Sequence, residues 1–193
     1  MGDIDQSRIR EALDAHEKLV AEFERSAIEV LAAASEMIVA AFKKGGTLYL
    51  CGNGGSAADA QHIAGEMVGR FRTERRALPA MAWSTDTSVL TCIANDYSYE
   101  DVFARQAEAH VKPGDVLWGL STSGASPNVV KAAEVAKRKG ARVIAFTGKK
   151  DSKLQALADI CLCADAQVTA RSQEIHQLAY HIICDLVEQR FCE

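Results

Sequence analysis

Two segments of the sequence are apolar without a break, 116–118 (Val-Leu-Trp) and 143–146 (Val-Ile-Ala-Phe), and each follows shortly after a glycine. A strand with apolar side chains on both faces needs cover on both faces, which the helices of an open parallel sheet provide. Stretches with helical spacing of apolar residues lie between these and other short strand-like runs. The alternation predicts an α/β fold, a doubly wound parallel sheet of five strands.

The same patterns predict the order of the elements. Apolar residues recur at helical spacing from Ile9 to about Lys43, where Gly45-Gly46 stops the pattern, so a pair of helices is predicted ahead of the first strand. The strands are predicted at 47–51, 79–83, 115–120, 142–147 and 160–163. Helices are predicted at 56–68, 87–94, 100–110, 127–139, near 154 and at 172–190, with a polar turn at 95–98. No linker interrupts residues 1–193, which are expected to form one domain.

Charge and cysteine content limit the classes of function. The chain has 22 basic and 26 acidic side chains, a formal charge of −4, and no long basic run that would neutralise a nucleic-acid backbone. We therefore expect no nucleic-acid partner. Neither an export signal nor a run of about 18 apolar residues occurs, so we expect no membrane partner and a cytoplasmic location. The six cysteines include no CxxC pair and are expected to be reduced.

A glycine-rich loop joins the first predicted strand to a helix, with the sequence Cys-Gly-Asn-Gly-Gly-Ser-Ala at 51–57. Free backbone N–H groups and the positive end of the helix dipole meet at such a point and favour an anion. The loop lacks the GK[ST] element of a P-loop, and its match to a dinucleotide fingerprint is partial. From these residues alone, either an anion site or a tight turn capped by Ser56 is predicted.

A second strand-to-helix loop, Ser-Thr-Ser-Gly-Ala-Ser-Pro-Asn at 121–128, carries four hydroxyl groups. Pro127 suits the first position of a helix, and Ser126 alone would serve as its cap. The remaining hydroxyls, on Ser121, Thr122 and Ser123, together with backbone amides, suit a phosphate monoester; a merely polar loop is the alternative. Two such loops in one short sheet favour one phosphorylated small molecule over a dinucleotide.

The two loops, in this order and with these neighbours, resemble the SIS domain of sugar-phosphate isomerases and sugar-phosphate-binding regulators. The runs 61–66, 93–96 and 173–176 are similar to phosphoheptose isomerases in particular. The resemblance covers essentially the whole chain and implies a SIS, flavodoxin-like fold. It also implies an aldose–ketose isomerase that converts sedoheptulose 7-phosphate to D-glycero-D-manno-heptose 7-phosphate through an enediol, the first step of bacterial ADP-heptose or GDP-heptose synthesis.

An isomerase of this kind needs a base, an acid and stabilisation of an enediolate. His62 and Glu66 are four residues apart on a predicted helix and share one face, as an exposed pair would also do. The last helix is expected to bury 175, 178, 179, 182, 183, 186 and 187 as an apolar stripe with His181 at its edge, where most histidines are structural. The resemblance implies instead that Glu66 and His181 are the acid–base pair.

The resemblance further implies one zinc ion per subunit, since some members of the family bind zinc. The matching ligands are His62, Glu66, Gln173 and His181. Imidazole, carboxylate and amide donors are acceptable to Zn²⁺, although glutamine is an uncommon ligand. Gln173 and His181 are eight residues apart, or about 80° around a helix, so they reach one metal only if it lies over the helix side.

Substrate contacts follow from the same resemblance. The matching residues are Asn53, Gly54, Gly55, Ser56, Glu66, Arg70, Asn95, Asp96, Ser121, Thr122, Ser123, Ser126 and Gln173. One position departs from the pattern: Ala170 stands where some members have an acidic residue. The family also implies a homotetramer with active sites at subunit interfaces, in which the helical residues 1–45 would contribute to assembly.

Two alternatives to this function arise from the same motifs. Residues 71–75, 78–80 and 84–96 are similar to a non-catalytic branch of the family that binds the bacterial replication initiator. That branch lacks the residues for proton transfer, whereas Glu66 and His181 are present in this chain. An isomerase for another sugar phosphate, such as arabinose 5-phosphate, would keep the fold and both loops but would not need Gln173 with His181.

Overall fold

The structure, a computed structural model, describes residues 3–192; the other three residues of the predicted domain lie outside the described range. Its strands are β1 (Leu48–Gly52), β2 (Ala80–Ala82), β3 (Val116–Ser121), β4 (Arg142–Thr147) and β5 (Ile160–Cys163). Its helices are α1 (Asp3–Lys43), α2 (Gly55–Val68), α3 (Thr87–Asp96), α4 (Ala104–His110), α5 (Pro127–Arg138), α6 (Lys153–Leu157) and α7 (Thr169–Gln189), with a 3₁₀ turn at Tyr99–Asp101.

The five strands form one sheet in the order β2-β1-β3-β4-β5, and every pair is parallel. Successive side chains of a strand point to opposite faces, so each central strand feeds two cores. On β3, Trp118 packs with α1, α2 and α7, whereas Leu117 packs with α4 and α5 on the other face. The predicted α/β fold with a doubly wound, five-stranded parallel sheet is confirmed.

The predicted pair of N-terminal helices is wrong, because α1 is one continuous helix of 41 residues. No glycine or proline occurs between residues 3 and 43, so nothing in the segment breaks the helix before Gly45, whose φ is +80°. The second half of α1 is buried against the sheet through residues such as Ile38. Its first half contacts α7, where His16 Nδ1 lies 2.7 Å from a carboxylate oxygen of Glu174.

Two element boundaries on the β2 side also differ from the prediction. The polar turn predicted at 95–98 starts later, because the N–H of Tyr97 donates to Ile93 O at 3.0 Å and keeps Asn95 and Asp96 in the last turn of α3. The helix predicted at 100–110 is divided into the 3₁₀ turn and the shorter α4.

The buried face of α7 is turned relative to the predicted stripe. Leu178 and Leu186 are exposed, at 37% and 38% of their surface. The face toward the interior instead carries polar residues among its apolar ones, and the buried members are Ser172, Ile175, His176, Ala179, Tyr180, Ile183, Cys184, Val187 and Glu188. Apolar periodicity alone does not reveal this rotation, since polar side chains of α7 make hydrogen bonds inside the fold.

His176 gives a testable dependence of stability on pH. Its ring is fully buried, and Nε2 lies 3.0 Å from Thr147 O, so we assign the neutral tautomer that donates from Nε2. Burial lowers the pKa of His176 to about 4, against 6.5 for an ordinary histidine. The unfolded chain therefore takes up a proton near pH 6.5 that the folded chain accepts only near pH 4. This one group is expected to lower the free energy of unfolding by about 3 kcal/mol over that window as pH falls.

The measurement is urea unfolding between about pH 8 and pH 4 of the unchanged protein and of His176→Gln, whose amide N–H can still donate to Thr147 O. Subtracting the two curves removes the other titrating groups. The difference should be constant above pH 7 and change steadily between pH 6.5 and 4. A difference that does not vary with pH would contradict the prediction.

Two further features concern the thiols and the length of the helices. All six cysteines are free thiols; Cys51 and Cys184 are buried, and Cys92 is exposed. Within residues 3–192, no helix has the length and apolar character that crossing a bilayer requires.

Candidate active site

The two hydroxyl- and glycine-containing loops lie side by side, because β1 and β3 are neighbours and the carboxyl ends of parallel strands meet at one edge. A pair of amides joins them. Asn53 Nδ2 donates to Asn128 Oδ1 at 2.9 Å, and Asn128 Nδ2 donates to Asn53 Oδ1 at 2.8 Å. The hydroxyl of Tyr99 also donates to Asn53 Oδ1, at 3.0 Å. The two loops therefore form one continuous rim.

The first loop is built for close approach of other groups. Gly54 is the N-cap of α2, with φ +57° and no side-chain cap, so the alternative of a turn capped by Ser56 is wrong. A Cβ on Gly55 would lie 2.6 Å from Nε2 of Gln173, which means that the Gln173 side chain from α7 lies directly over the loop. The structure thus brings together Gly54, Gly55, the buried Ser56 and the distant Gln173.

The second loop holds its hydroxyls in a cluster. Ser126 is the N-cap of α5 but makes no side-chain cap; its Oγ lies 2.9 Å from Oγ of the buried Ser121. Ser123 Oγ lies 3.3 Å from Ser121 Oγ and accepts the N–H of Ala125 at 3.2 Å. Thr122 is half-buried beside them. Hydroxyls that are not used as caps and that face a helix N-terminus favour an anion, as expected for a phosphate site.

The predicted acid–base residues come together on α2 and α7. His62 Nε2 lies 2.9 Å from Glu66 Oε1, and the rings of His62 and His181 have centroids 5.0 Å apart. Burial lowers the pKa of His181, and the nearby His62 adds to this, while the Glu66 carboxylate opposes it. A histidine with a lowered pKa is neutral near pH 7 and can accept a proton there.

Tyr180 and Asp59 support this group from the protein interior. The Tyr180 hydroxyl lies 2.9 Å from His62 Nδ1, which leaves Nε2 to face Glu66. Burial raises the pKa of Asp59 to about 6, against the opposing effects of His62 and of the nearby Tyr180 hydroxyl. Hydrogen bonds therefore connect Tyr180 through His62 to Glu66.

The donors of the predicted metal site are present, but they are not preassembled. His62 Nε2 and Glu66 Oε1 are 2.9 Å apart, close to the separation of about 3.3 Å between two ligands that each lie 2.0 Å from zinc. The Tyr180 hydroxyl orients His62 in the way that outer groups orient metal-binding histidines. In the described chain, however, no group of three or more His, Cys, Asp or Glu side chains has a metal-binding arrangement.

Three predicted contact residues lie apart from these groups. Arg70 is exposed and pairs with Glu74 at 3.4 Å. Asn95 and Asp96 hydrogen-bond to each other at 2.8 Å at the exposed end of α3. Within residues 3–192, no hydrogen bond joins any of the three to the two loops or to His181.

Sequence reasoning missed several residues that support the site. Asn128 follows Pro127 directly at a helix start, and its place beside a hydroxyl loop was a usable signal. Tyr180 precedes His181, but only the rotation of α7 shows that its hydroxyl reaches His62. Phe71, whose ring stacks on His181 with centroids 5.6 Å apart at 27°, had no local signal.

The open parallel sheet and the loop pair are the features of a SIS domain, and a sequence model of the SIS domain matches residues 13–148. Comparison with known proteins shows which members of the SIS domain family this chain is similar to. A phosphoheptose isomerase of Roseiflexus sp. is 51% identical over 85% of this chain and 83% of its own length. One of Citrifermentans bemidjiense is 49% identical over 94% of each chain.

Solved structures give the same result. Phosphoheptose isomerase from Neisseria gonorrhoeae superimposes with a TM-score of 0.90 at 40% identity, over 95% of this chain and 98% of that one. The enzyme from Francisella tularensis has a TM-score of 0.91 at 32% identity, over 98% and 100%. The chain therefore belongs to the phosphoheptose isomerases of the SIS domain family, a family of sugar-phosphate isomerase enzymes.

Proposed function

We propose that this isomerase converts sedoheptulose 7-phosphate to D-glycero-D-manno-heptose 7-phosphate. The observation that carries the proposal is the placement of a histidine–glutamate group beside two joined anion-binding loops. Family membership supports the same substrate, because the relatives named above are phosphoheptose isomerases. The initiator-binding alternative is not retained, since Glu66 and His181 are both present and lie within one group.

The substrate phosphate would bind at the second loop, among the hydroxyls of Ser121, Thr122, Ser123 and Ser126. Asn53, Ser56 and Gln173 would contact the sugar hydroxyls, because Gln173 lies over the first loop and Asn53 faces the second. Arg70, Asn95 and Asp96 would reach the ligand only from exposed positions, a role that suits a site completed by a neighbouring subunit.

Glu66 and His181 would carry the protons. One of them removes a proton from C1 of the open-chain ketose while the other protonates O2, which gives a cis-enediol. Removal of the O1 proton and protonation of C2 then give the aldose, so each group returns to its starting state. Hydrogen-bond donors at the first loop would stabilise the charge on the oxygens during both steps.

We also propose one zinc ion per subunit, held by His62, Glu66, Gln173 and His181. When bound, zinc polarises the substrate oxygens as a Lewis acid. The 2.9 Å spacing of the His62 and Glu66 donors and the orientation of His62 by Tyr180 support the proposal. Gln173 and His181 are about 12 Å apart along α7, so both side chains must turn toward a common point.

Zinc is expected to stabilise the protein as well as its reaction. At free zinc about 100-fold above its dissociation constant, the free energy of unfolding should rise by about 3 kcal/mol, and a chelator should remove the gain. Elemental analysis and thermal unfolding measure this without any substrate. His62→Gln should abolish the effect, whereas His16→Gln, which changes a histidine paired with Glu174 in the same way, should keep it. Metal-free protein whose unfolding is unchanged by zinc would refute the site.

The long N-terminal helix supports the proposed homotetramer. It exposes apolar side chains, among them Ile9, Leu13 and Ile28 at 51%, 64% and 73%. Burial of such a face against a second copy is favourable. We propose that residues 1–45 contribute to this assembly and that active sites lie at subunit interfaces, which would also give the exposed substrate residues a partner surface.

We propose that the enzyme acts in the cytoplasm. Its reaction would be the first step of ADP-heptose or GDP-heptose synthesis for bacterial surface glycans. Six free thiols fit a reducing compartment.

The test is isomerisation of sedoheptulose 7-phosphate in D₂O, followed by NMR, with arabinose 5-phosphate as the competing substrate. Proton transfer through an enediol should place solvent deuterium at C2 of the aldose product. Faster turnover of arabinose 5-phosphate would assign another substrate, and folded protein without turnover of either in any metal condition would reject the isomerase mechanism.

A further inference from the structure

Glu188 is a buried carboxylate for which the proposed isomerisation has no direct use. It lies in the last turn of α7, about two turns beyond His181, and only 1% of its surface is exposed. It accepts three consecutive backbone N–H groups, from Phe71 at 3.1 Å, Arg72 at 2.7 Å and Thr73 at 3.0 Å. Burial acts to raise the pKa of Glu188, but these N–H groups and Arg75 outweigh it and lower the pKa.

The segment that Glu188 binds is the loop between α2 and β2, residues 69–79. The same loop is tied to α2 by Arg75, whose guanidinium donates to the carbonyl of Glu66 at 2.6 Å and to that of Met67 at 2.8 Å. One loop is therefore attached to α2 through Arg75 and to α7 through Glu188. These two helices carry the proposed acid–base pair.

Phe71, the first of the three residues whose N–H groups Glu188 accepts, also contacts His181. Phe71 stacks on the His181 imidazole with ring centroids 5.6 Å apart and planes at 27°. His62 approaches the same imidazole edge to face at 5.0 Å, so the ring is bounded by Phe71 and by His62. The backbone position of Phe71, set by Glu188, thus limits the rotation of the imidazole.

We propose that Glu188 is a positioning residue for His181, acting through Phe71. It holds the loop so that the Phe71 ring fixes the imidazole in the orientation needed for proton transfer. The inference rests on the acid–base role proposed above for His181. A displacement of about 1 Å in a catalytic group can cost about 100-fold in rate, so a carboxylate that never meets the substrate can control turnover.

Glu188→Gln tests the inference, because it keeps the side-chain shape but removes the charge and one of two acceptor oxygens. Asp115→Asn is the matched control. Asp115 is 5% exposed and accepts the N–H groups of Thr47 at 2.8 Å and Lys112 at 2.7 Å. Asp115 directly precedes β3 and lies at the amino ends of the strands, whereas both loops follow the carboxyl ends.

We expect Glu188→Gln to lower kcat about tenfold or more, with a smaller change in KM. Asp115→Asn, compared at a temperature where both variants are folded, should leave kcat unchanged. In NMR spectra the His181 ring signals should shift, and their contact with the Phe71 ring should weaken, only in Glu188→Gln. Phe71→Leu should lower kcat similarly, and adding Glu188→Gln to it should have little further effect.

A loss of kcat no larger than that of Asp115→Asn, unchanged His181 signals, or full additivity with Phe71→Leu would each overturn the inference. Wild-type protein inactive on sedoheptulose 7-phosphate would reject the proposed function, and the NMR contact would still decide whether Glu188 positions His181. If Glu188→Gln does not fold, Glu188→Asp, which keeps the charge and shortens the side chain, replaces it in every comparison.

Discussion

Glu66→Gln is expected to lower kcat by about 10²–10⁴-fold, the usual contribution of a positioned proton-transfer group. The amide has nearly the same shape as the carboxylate but cannot accept and return a proton. Glu66 Oε1 lies 2.9 Å from His62 Nε2, and a glutamine can keep that contact as a donor or an acceptor. The loss should therefore appear in kcat, measured by NMR with sedoheptulose 7-phosphate, while the protein remains folded.

The chain supplies a matched control for this substitution. Glu174 is also a helical, partly buried glutamate paired with a histidine, His16, but it faces α1 and not the two loops. Glu174→Gln should leave kcat within about twofold, whereas His181→Gln should resemble Glu66→Gln. Because two residues that act as one unit are not additive, the double variant should be little worse than either single one. Normal turnover by Glu66→Gln would remove Glu66 from the mechanism.

Gly124→Ala is expected to raise KM for the phosphorylated substrate about 10- to 100-fold, as the loss of one or two hydrogen bonds to a charged group would. Gly124 lies in the middle of the hydroxyl loop with φ +62°, and a Cβ there would overlap both Oγ and Cβ of Ser152. A new rotamer of Ser152 cannot relieve a clash with its own Cβ. Ser152 also caps α6 by accepting the N–H of Gln155 at 3.3 Å, so the loop itself must move.

Gly45→Ala is a control that separates the effect of a steric clash from the effect of a left-handed backbone conformation. Gly45 has φ +80° at the end of α1, and a Cβ there would meet nothing within 4 Å. The free energy of unfolding of Gly45→Ala should fall by about 1–2 kcal/mol because of the left-handed backbone conformation alone, and KM should not change. Gly124→Ala should lose more stability than this and should also raise KM; equal KM values for the two variants would contradict a phosphate site at the second loop.

The sheet was predictable to within a residue or two because its signals are local. β4 and β5 begin and end where predicted, since an apolar run bounded by turn residues marks a buried strand. The prediction of two helices in place of α1 was wrong for an equally local reason. A change in apolar periodicity does not end a helix, and without glycine or proline the helix continues.

The candidate site was predictable in its residues more than in its arrangement. Ser121, Thr122 and Ser123 were found by their excess over structural need. The structure places Ser121 and Ser123 in one cluster with Ser126, which was predicted as the helix cap but makes no side-chain cap. The roles of Glu66 and His181 came from resemblance, because no spacing in the sequence connects α2 with α7. The rotation of α7, which buries Tyr180 and exposes Leu178, depends on polar contacts across the fold and escaped the apolar pattern.

By itself, the sequence determined the alternation of strands and helices, the two glycine- and hydroxyl-rich loops and the kinds of titratable group that the chain carries. Propensity, periodicity and turn chemistry act over a few residues, so these features are written in short segments. Only the tertiary structure decided that Gln173 lies over Gly55, that His62 meets His181, and that Glu188 holds the loop bearing Phe71. Such contacts depend on how whole helices pack on the sheet, and packing is a property of all the side chains between them.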